Sequence, residues 1–250
     1  MQRSSSIKRD PIYMEKNIKI LRTKNMYTPT PDDEVQITRK IYGADCFFQI
    51  KKKRKLSILD KIKKLFKMAD EWIDYEYLYS YVYSESDVEL KDYYINPSYR
   101  NLKFIEDKYN MESVLWNTVK SLGRNFIGDE FTIYGVIFGK DAHKIYNYDM
   151  DTIEFVGTDV FVSKNFESPD ATKLIFDNLL KLPHVEILHT GEWNEELQNS
   201  FIYDNYIETT EKRIPHAGVI IKHVSGDREK IVTIYNPDFK SWIKELDSKN

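Results

Sequence analysis

The chain has 250 residues, enough to bury a sizeable core as one large or two small domains. Its 37 basic and 40 acidic side chains leave a net charge of −3, so any nucleic-acid contact must rest on local clusters of Lys and Arg. The lone cysteine, Cys46, excludes an intrachain disulfide and a cysteine-rich zinc site, and it fits a reducing compartment. No stretch nears the ~20 apolar residues of a membrane-spanning helix, and the N-terminal MQRSSSIKRD lacks the apolar run of a secretory signal. The expectation is a soluble, intracellular protein with no membrane contact.

In chain order, residues 1–15 are polar and expected as a flexible tail, leaving 16–250 as one domain. Asn17–Leu21 (NIKIL) alternates like a short strand. After a Pro-rich turn at Tyr27–Pro31, Val35–Ile41 and Cys46–Ile50 predict two strands around a turn at Gly43. The basic run Lys51, Lys52, Lys53, Arg54 and Lys55 closes the second strand. In Leu56–Ile73 the apolar residues Ile58, Leu59, Ile62, Leu65, Phe66, Ala69, Trp72 and Ile73 recur at spacings of three and four. That predicts an amphipathic helix with its lysines mostly on the other face.

Tyr75–Asp92 is a tyrosine-rich acidic stretch with no assignable period, and Met111–Leu122 predicts a second helix capped at Gly123. Phe131–Phe138 and Ile153–Val162 read as buried strands joined by a polar connection. Pro169–Leu180 predicts a third helix with Ser168 as N-cap before the proline. Val185–Leu188, Ala217–Val224 and Lys230–Tyr235 read as strands, the last two about a turn at Gly226-Asp227, and Trp242 and Leu246 suggest a short terminal helix. With no repeat and no linker, the fold class expected is α+β, sheet-rich with flanking helices.

Chemistry enters at Lys40-Ile41-Tyr42-Gly43, a lysine followed at three residues by glycine where a strand enters a turn. Chance produces that spacing often, and its weight comes from the order of four later segments. Ile133–Lys140 reads IYGVIFGK, and Ile153–Val162 is an aromatic-rich run carrying Asp159. His216–Lys222 reads HAGVIIK, and Thr233–Pro237 reads TIYNP. In this order the segments resemble the motif strands of the RNA-ligase branch of the covalent nucleotidyltransferases (the DNA and RNA ligase and mRNA capping superfamily). The resemblance covers roughly residues 17 to 240: the "YGE-x-x-GK" strand, the aromatic strand, the "EGVVIR" strand and the last lysine-bearing strand.

The resemblance implies a ligase-type nucleotidyltransferase (adenylation) domain, with mostly antiparallel sheets flanked by helices around a nucleotide cleft. No separate C-terminal domain is expected. It implies ATP and Mg²⁺ as cofactors and RNA as partner. A lysine amine attacks the α-phosphate to give lysyl–AMP, the adenylate passes to a 5′-phosphate end, and a 3′-hydroxyl displaces it. On this pattern Lys40 matches the nucleophile, while Arg39, Gly43, Gly135 and Lys222 fall at nucleotide-binding positions. Arg54 could grip phosphate, and Lys51 to Lys55 would meet RNA near the cleft mouth, where interleaved aromatics could stack on bases. An amine of pKa about 10.4 is only a fraction of a per cent neutral near pH 7, so attack requires burial or a neighbouring cation to lower it.

The departures are as informative. Arg39 stands where glutamate usually precedes the lysine, Val136 and Ala217 stand at motif glutamates, and Thr233 and Tyr235 at motif lysines. None of these replacements holds a metal or neutralises phosphate as the original would. His216 could ligate a metal, alone or with Asp159, but a histidine after proline at a strand start is more often structural. Removing one preorganised charge-stabilising group costs about 3 kcal/mol, on the order of 10²–10³ in rate, though several losses need not add. The expectation is therefore an RNA-ligase-like domain with impaired or lost adenylation that acts on or binds RNA. The alternatives are an active ATP-dependent RNA ligase using Lys40 and a ligase fold kept as a structural or protein-interaction module. Capping-type guanylyl transfer ranks last, because the strand spellings fit the ligase branch better.

Overall fold

Runs of apolar, β-branched and aromatic residues build two antiparallel sheets, each with one face given over to hydrophobic burial. The computed structural model describes residues 27–54, 75–83, 99–122, 130–140, 142, 148, 150–163, 165–203, 206–208, 213–227 and 229–248. The first sheet contains β1 (Glu34–Arg39), β7 (Ile187–Glu192), β10 (Gly218–His223) and β11 (Ile231–Tyr235), in the order β11-β10-β1-β7. The second contains β2 (Ala44–Arg54), β3 (Tyr75–Tyr83), β4 (Glu130–Gly139), β5 (Ile153–Val162) and β6 (Asn165–Phe166), in the order β3-β2-β4-β5-β6. A small hairpin pairs β8 (Tyr206–Glu208) with β9 (Arg213–Pro215).

Register decides what each face meets. In the first sheet Val35, Ile37, Val219 and Ile221 share a face and bury against Ile202 at the end of a short helix, Glu195–Ile202. The other face carries Gln36, Thr38, Ile220 and Lys222, three of them polar and buried. In the second sheet Phe48, Ile50, Phe131, Ile133 and Phe155 form the main core. Among the described residues, three helical segments cover it. α1 (Tyr99–Tyr109) contributes Leu102 and Ile105, α2 (Met111–Leu122) contributes Leu115, and α3 (Pro169–Leu174) leads into Phe176. In chain order Glu195–Ile202 is then α4, and Pro237–Ser248 is α5.

The cap at α3 is as expected: Ser168 Oγ accepts from Ala171 N at 3.3 Å with Pro169 at the first position. The helix expected to run to Leu180 changes to a π-helical turn over Ile175–Leu180 and stops at Lys181, whose φ is 54°. Other boundaries differ too. β2 runs on through the basic residues to Arg54, and β3 lies inside the tyrosine-rich stretch that has no readable period. β7 starts two residues later than the strand expected at Val185, and the terminal helix spans twelve residues. α1 leaves no clear sequence signal because its apolar stripe is sparse, with Leu102 and Ile105 buried but Phe104 47% exposed. The tail, the strand expected at Asn17–Leu21, the helix expected at Leu56–Ile73, the cap at Gly123 and Lys55 lie outside the described residues. Among the described residues, no helix is long and apolar enough to cross a membrane.

Candidate functional site

The two sheets meet along a seam, and Lys40 sits at one end of it. Backbone bonds fix that end: Arg39 N donates to Glu186 O at 2.9 Å and Lys40 N to Gly218 O at 2.9 Å. The segment 183–186 also reaches the second sheet, where Gly157 N donates to Pro183 O at 2.8 Å and Val185 N to Gly157 O at 3.0 Å. Further along the seam Lys222 crosses from β10 to β5. Its Nζ donates to Asp159 Oδ1 at 2.8 Å and to Thr158 O at 2.9 Å, with both charged side chains largely buried. A buried pair of this kind costs desolvation and is held by its extra hydrogen bond and the surrounding packing.

Lys40-Ile41-Tyr42-Gly43 lies between two apolar clusters. On one side Ile41 and Phe138 pack against Val136, Val156 and Val185. On the other, Tyr42 packs with Ala217, Tyr235, Phe239 and Ile243, and its amide donates to Tyr148 OH at 2.6 Å. Gly43 is required here by close approach, since a Cβ would stand 2.3 Å from Ile137 O and 2.7 Å from a Val136 methyl. Of the replaced motif positions, Val136, Ala217 and Tyr235 are therefore buried in these clusters. Thr233 stands apart, exposed on the edge strand β11 opposite Ile220.

The other predicted residues are more dispersed. Lys40 is half-buried just past β1. Arg39 is 7% exposed and alternates onto the Ile37 side of the sheet, opposite to Gln36 and Thr38. Its Nε donates to Glu186 Oε2 at 3.2 Å, and its Nη1 is buried without a hydrogen-bond acceptor. His216 lies beside it, and burial together with the Arg39 charge pushes its pKa down to about 4. Gly135 belongs to the helix-packed side of β4, where a Cβ would run into the Phe155 ring at 2.3 Å.

Lys51 pairs with Glu130 at 3.1 Å, and the other Glu130 oxygen accepts from Gln49 at 2.6 Å and Thr132 at 3.0 Å. At about 3.3 Å per residue, Lys51 to Arg54 lie about 23 to 33 Å along β2 from its Ala44 end. The basic run is thus at the far end of the strand from the Lys40 turn.

Sequence reasoning missed the partners that only the fold supplies. His184 follows Pro183 in the seam-bridging segment, against the Phe176 ring, and burial followed by the nearby Lys222 charge pushes it down to about 4. Glu186 and the Tyr148 hydroxyl likewise carry no local signal. Among the described residues no three His, Cys, Asp or Glu side chains converge as a metal-binding set. Asp159 is engaged by Lys222, while His216 stands by Arg39 and Glu186.

Two antiparallel sheets with helices on their outer faces, joined at a lysine-bearing turn, make an RNA-ligase-like fold. Naegleria gruberi RNA ligase in an apo form is similar over 87% of this chain and 52% of that chain, at 12% identity and a TM-score of 0.50. Two forms of the same ligase solved with ATP and Mn are similar over 97% and 86% of this chain and 58% and 52% of theirs. Their identities are 11% and 13%, with TM-scores of 0.49 and 0.48. This chain spans about half the length of those ligase chains, and at such identity the likeness is one of fold. No family model and no curated protein sequence matches the chain.

Proposed function

We propose that residues 16–250 are an RNA-ligase-like nucleotidyltransferase domain whose adenylation and ligation are impaired or lost, and which binds RNA inside the cell. One observation carries this reading. Val136, Ala217 and Tyr235, at positions where the resemblance calls for two carboxylates and an ammonium group, are packed into apolar clusters around the Lys40 turn. These three side chains offer no carboxylate to Mg²⁺ and no cation to a triphosphate, so among the described residues these positions do not fit ATP with its metal. Lys222 keeps its charge, but Asp159 and the Thr158 carbonyl already hold it. The RNA half of the reading is supported by the basic residues that end β2 and by the fold shared with an RNA ligase.

Incubating the full chain with labelled ATP and Mg²⁺ or Mn²⁺ tests it, with an authentic ligase as control. The expected result is no covalent AMP on Lys40. An adduct that forms in the native chain and disappears in Lys40→Ala would overturn the reading. It would then favour the second one, an active ligase, for which the retained Lys40 and Gly43 at the sheet junction speak.

A further inference from the structure

The Lys40 amide meets one end of β10, at Gly218 O, and the other end of that strand carries a second group of polar side chains. At about 3.3 Å per residue, His223 lies about 17 Å from Gly218 along β10. The turn to β11 begins there and closes on the His223 imidazole. Ser225 N donates to His223 Nδ1 at 3.1 Å, and Ser225 Oγ lies 2.8 Å from the same nitrogen. An amide N–H can only donate, so Nδ1 is the accepting nitrogen and the proton of the neutral ring sits on Nε2. The Ser225 hydroxyl therefore donates to Nδ1. Nε2 faces Asp33 Oδ1 at 3.6 Å, within ion-pair range and of the loose kind usual before a substrate binds. The other Asp33 oxygen accepts from Thr30 N at 2.9 Å and Thr30 Oγ1 at 3.1 Å, which orients the carboxylate, and Lys230 Nζ stands 3.9 Å from Oδ1. The side chains of His223 and Asp33 are 19% and 17% exposed, whereas Ser225 is exposed.

We propose that Ser225 is a nucleophile activated by His223, with Asp33 positioning the ring, and that it reacts with small acyl esters. A neutral imidazole that accepts from a serine hydroxyl, backed by a carboxylate at its other nitrogen, activates serine for acyl transfer wherever the geometry occurs. Here Nδ1 serves the hydroxyl and Nε2 the carboxylate, the reverse of the common assignment, with the same proton inventory. As Oγ bonds to the ester carbonyl carbon, its proton passes to Nδ1, and Asp33 faces the imidazolium that forms. The ester C–O bond then breaks, and the leaving alcohol takes that proton. Water repeats the sequence to release the acid. The Asp227 amide points at Ser225 Oγ from 3.3 Å and supplies a donor beside the developing oxyanion. His223, Gly226 and Asp227 also line a recess of about 240 Å³, partly open to solvent, to which Phe166 and Ile231 add apolar surface suited to a short acyl chain. Closing the turn takes only the backbone bond from Gly226 N to His223 O at 3.1 Å, so the hydroxyl contact and the largely buried carboxylate are additional to it. The proposal is independent of the RNA-ligase reading.

Incubating the full chain with an alkyl fluorophosphonate, followed by peptide mass spectrometry, tests it. Ser225 Oγ should bond to phosphorus as the P–F bond breaks and fluoride leaves, the hydroxyl proton passing to His223. The adduct should map to Ser225 and vanish in Ser225→Ala, which keeps every backbone bond of the turn. His223→Ala should slow labelling by at least about a hundredfold, with recovery on adding free imidazole, which a purely structural role would not give. Asp33→Asn should slow it by at least about tenfold, and Asp33→Glu should restore part of the rate. The native chain should also hydrolyse p-nitrophenyl acetate with an initial burst that Ser225→Ala lacks. An adduct on another residue, or none in the native chain, overturns the proposal. So does labelling at the native rate in His223→Ala or in Asp33→Asn.

Discussion

The seam between the two sheets is polar in one stretch and apolar in the next. Around Lys222 it is held by a charge pair, a lysine-to-carbonyl bond and the neighbouring His184. Around Ile41 it is filled by Val136, Phe138, Val156 and Val185, and beside it Tyr42 packs with Ala217, Tyr235, Phe239 and Ile243, α5 supplying the last two. They join different elements: Lys222 ties β10 to β5, whereas the Tyr42 cluster packs the Lys40 turn against β11 and α5. The polar stretch depends on a specific partner across the seam, and the apolar stretch depends only on volume and shape. Val136, Ala217 and Tyr235, three of the positions expected to carry catalytic charge, fall in apolar clusters, whereas Thr233 is exposed on β11.

The comparison is broken most severely by Phe239→Ala. This ring is 1% exposed, packs edge-on to Tyr42 at 5.1 Å and anchors α5. The loss should be about 3–5 kcal/mol in urea unfolding, and an unchanged midpoint would mean the cluster contributes no packing. Next comes Lys222→Met, which takes the buried cation away from the Asp159 carboxylate and should cost about 3 kcal/mol. Adding Asp159→Leu to that variant should restore most of the loss. If the double variant is as unstable as the two single losses added together, the two groups are not coupled and the polar stretch is held by backbone bonds alone.

The smallest effect is in pH. Burial, then Lys222, pushes His184 from its ordinary 6.5 down to about 4, and burial with Arg39 does the same to His216. The unfolded chain therefore takes up protons before the folded one. This stability is complete above about pH 6.5 and is lost as pH falls through about 4. Allowing for their partial contact with solvent, each histidine contributes about 1–2 kcal/mol. His184→Gln should flatten the fall in urea midpoint between about pH 7 and about pH 4.5. A fall as steep as the native chain's would show that His184 is not held neutral.

Much of the fold was legible because local rules govern it. The apolar, β-branched and aromatic runs of Phe131–Phe138 and Ile153–Val162, the stripe of Met111–Leu122 and the Ser168-Pro169 cap all signal their elements within a few residues. β3 was not legible, since tyrosines at every second position break the usual apolar–polar contrast. Of the candidate site, Lys40, Gly43 and the replaced positions could be named from their order along the chain. Their surroundings could not. Glu186 is 147 residues from Arg39, and Asp159 is 63 from Lys222, with no periodicity linking either pair.

The sequence by itself determined which residues alternate, which cap, and which motif positions lack their usual charge. Tertiary structure alone decided that Val136, Ala217 and Tyr235 are buried, that Lys222 is held by Asp159, and that the basic run lies a strand's length from Lys40. The reason is physical: alternation tells which side chains share a face, but what covers that face depends on how distant segments pack.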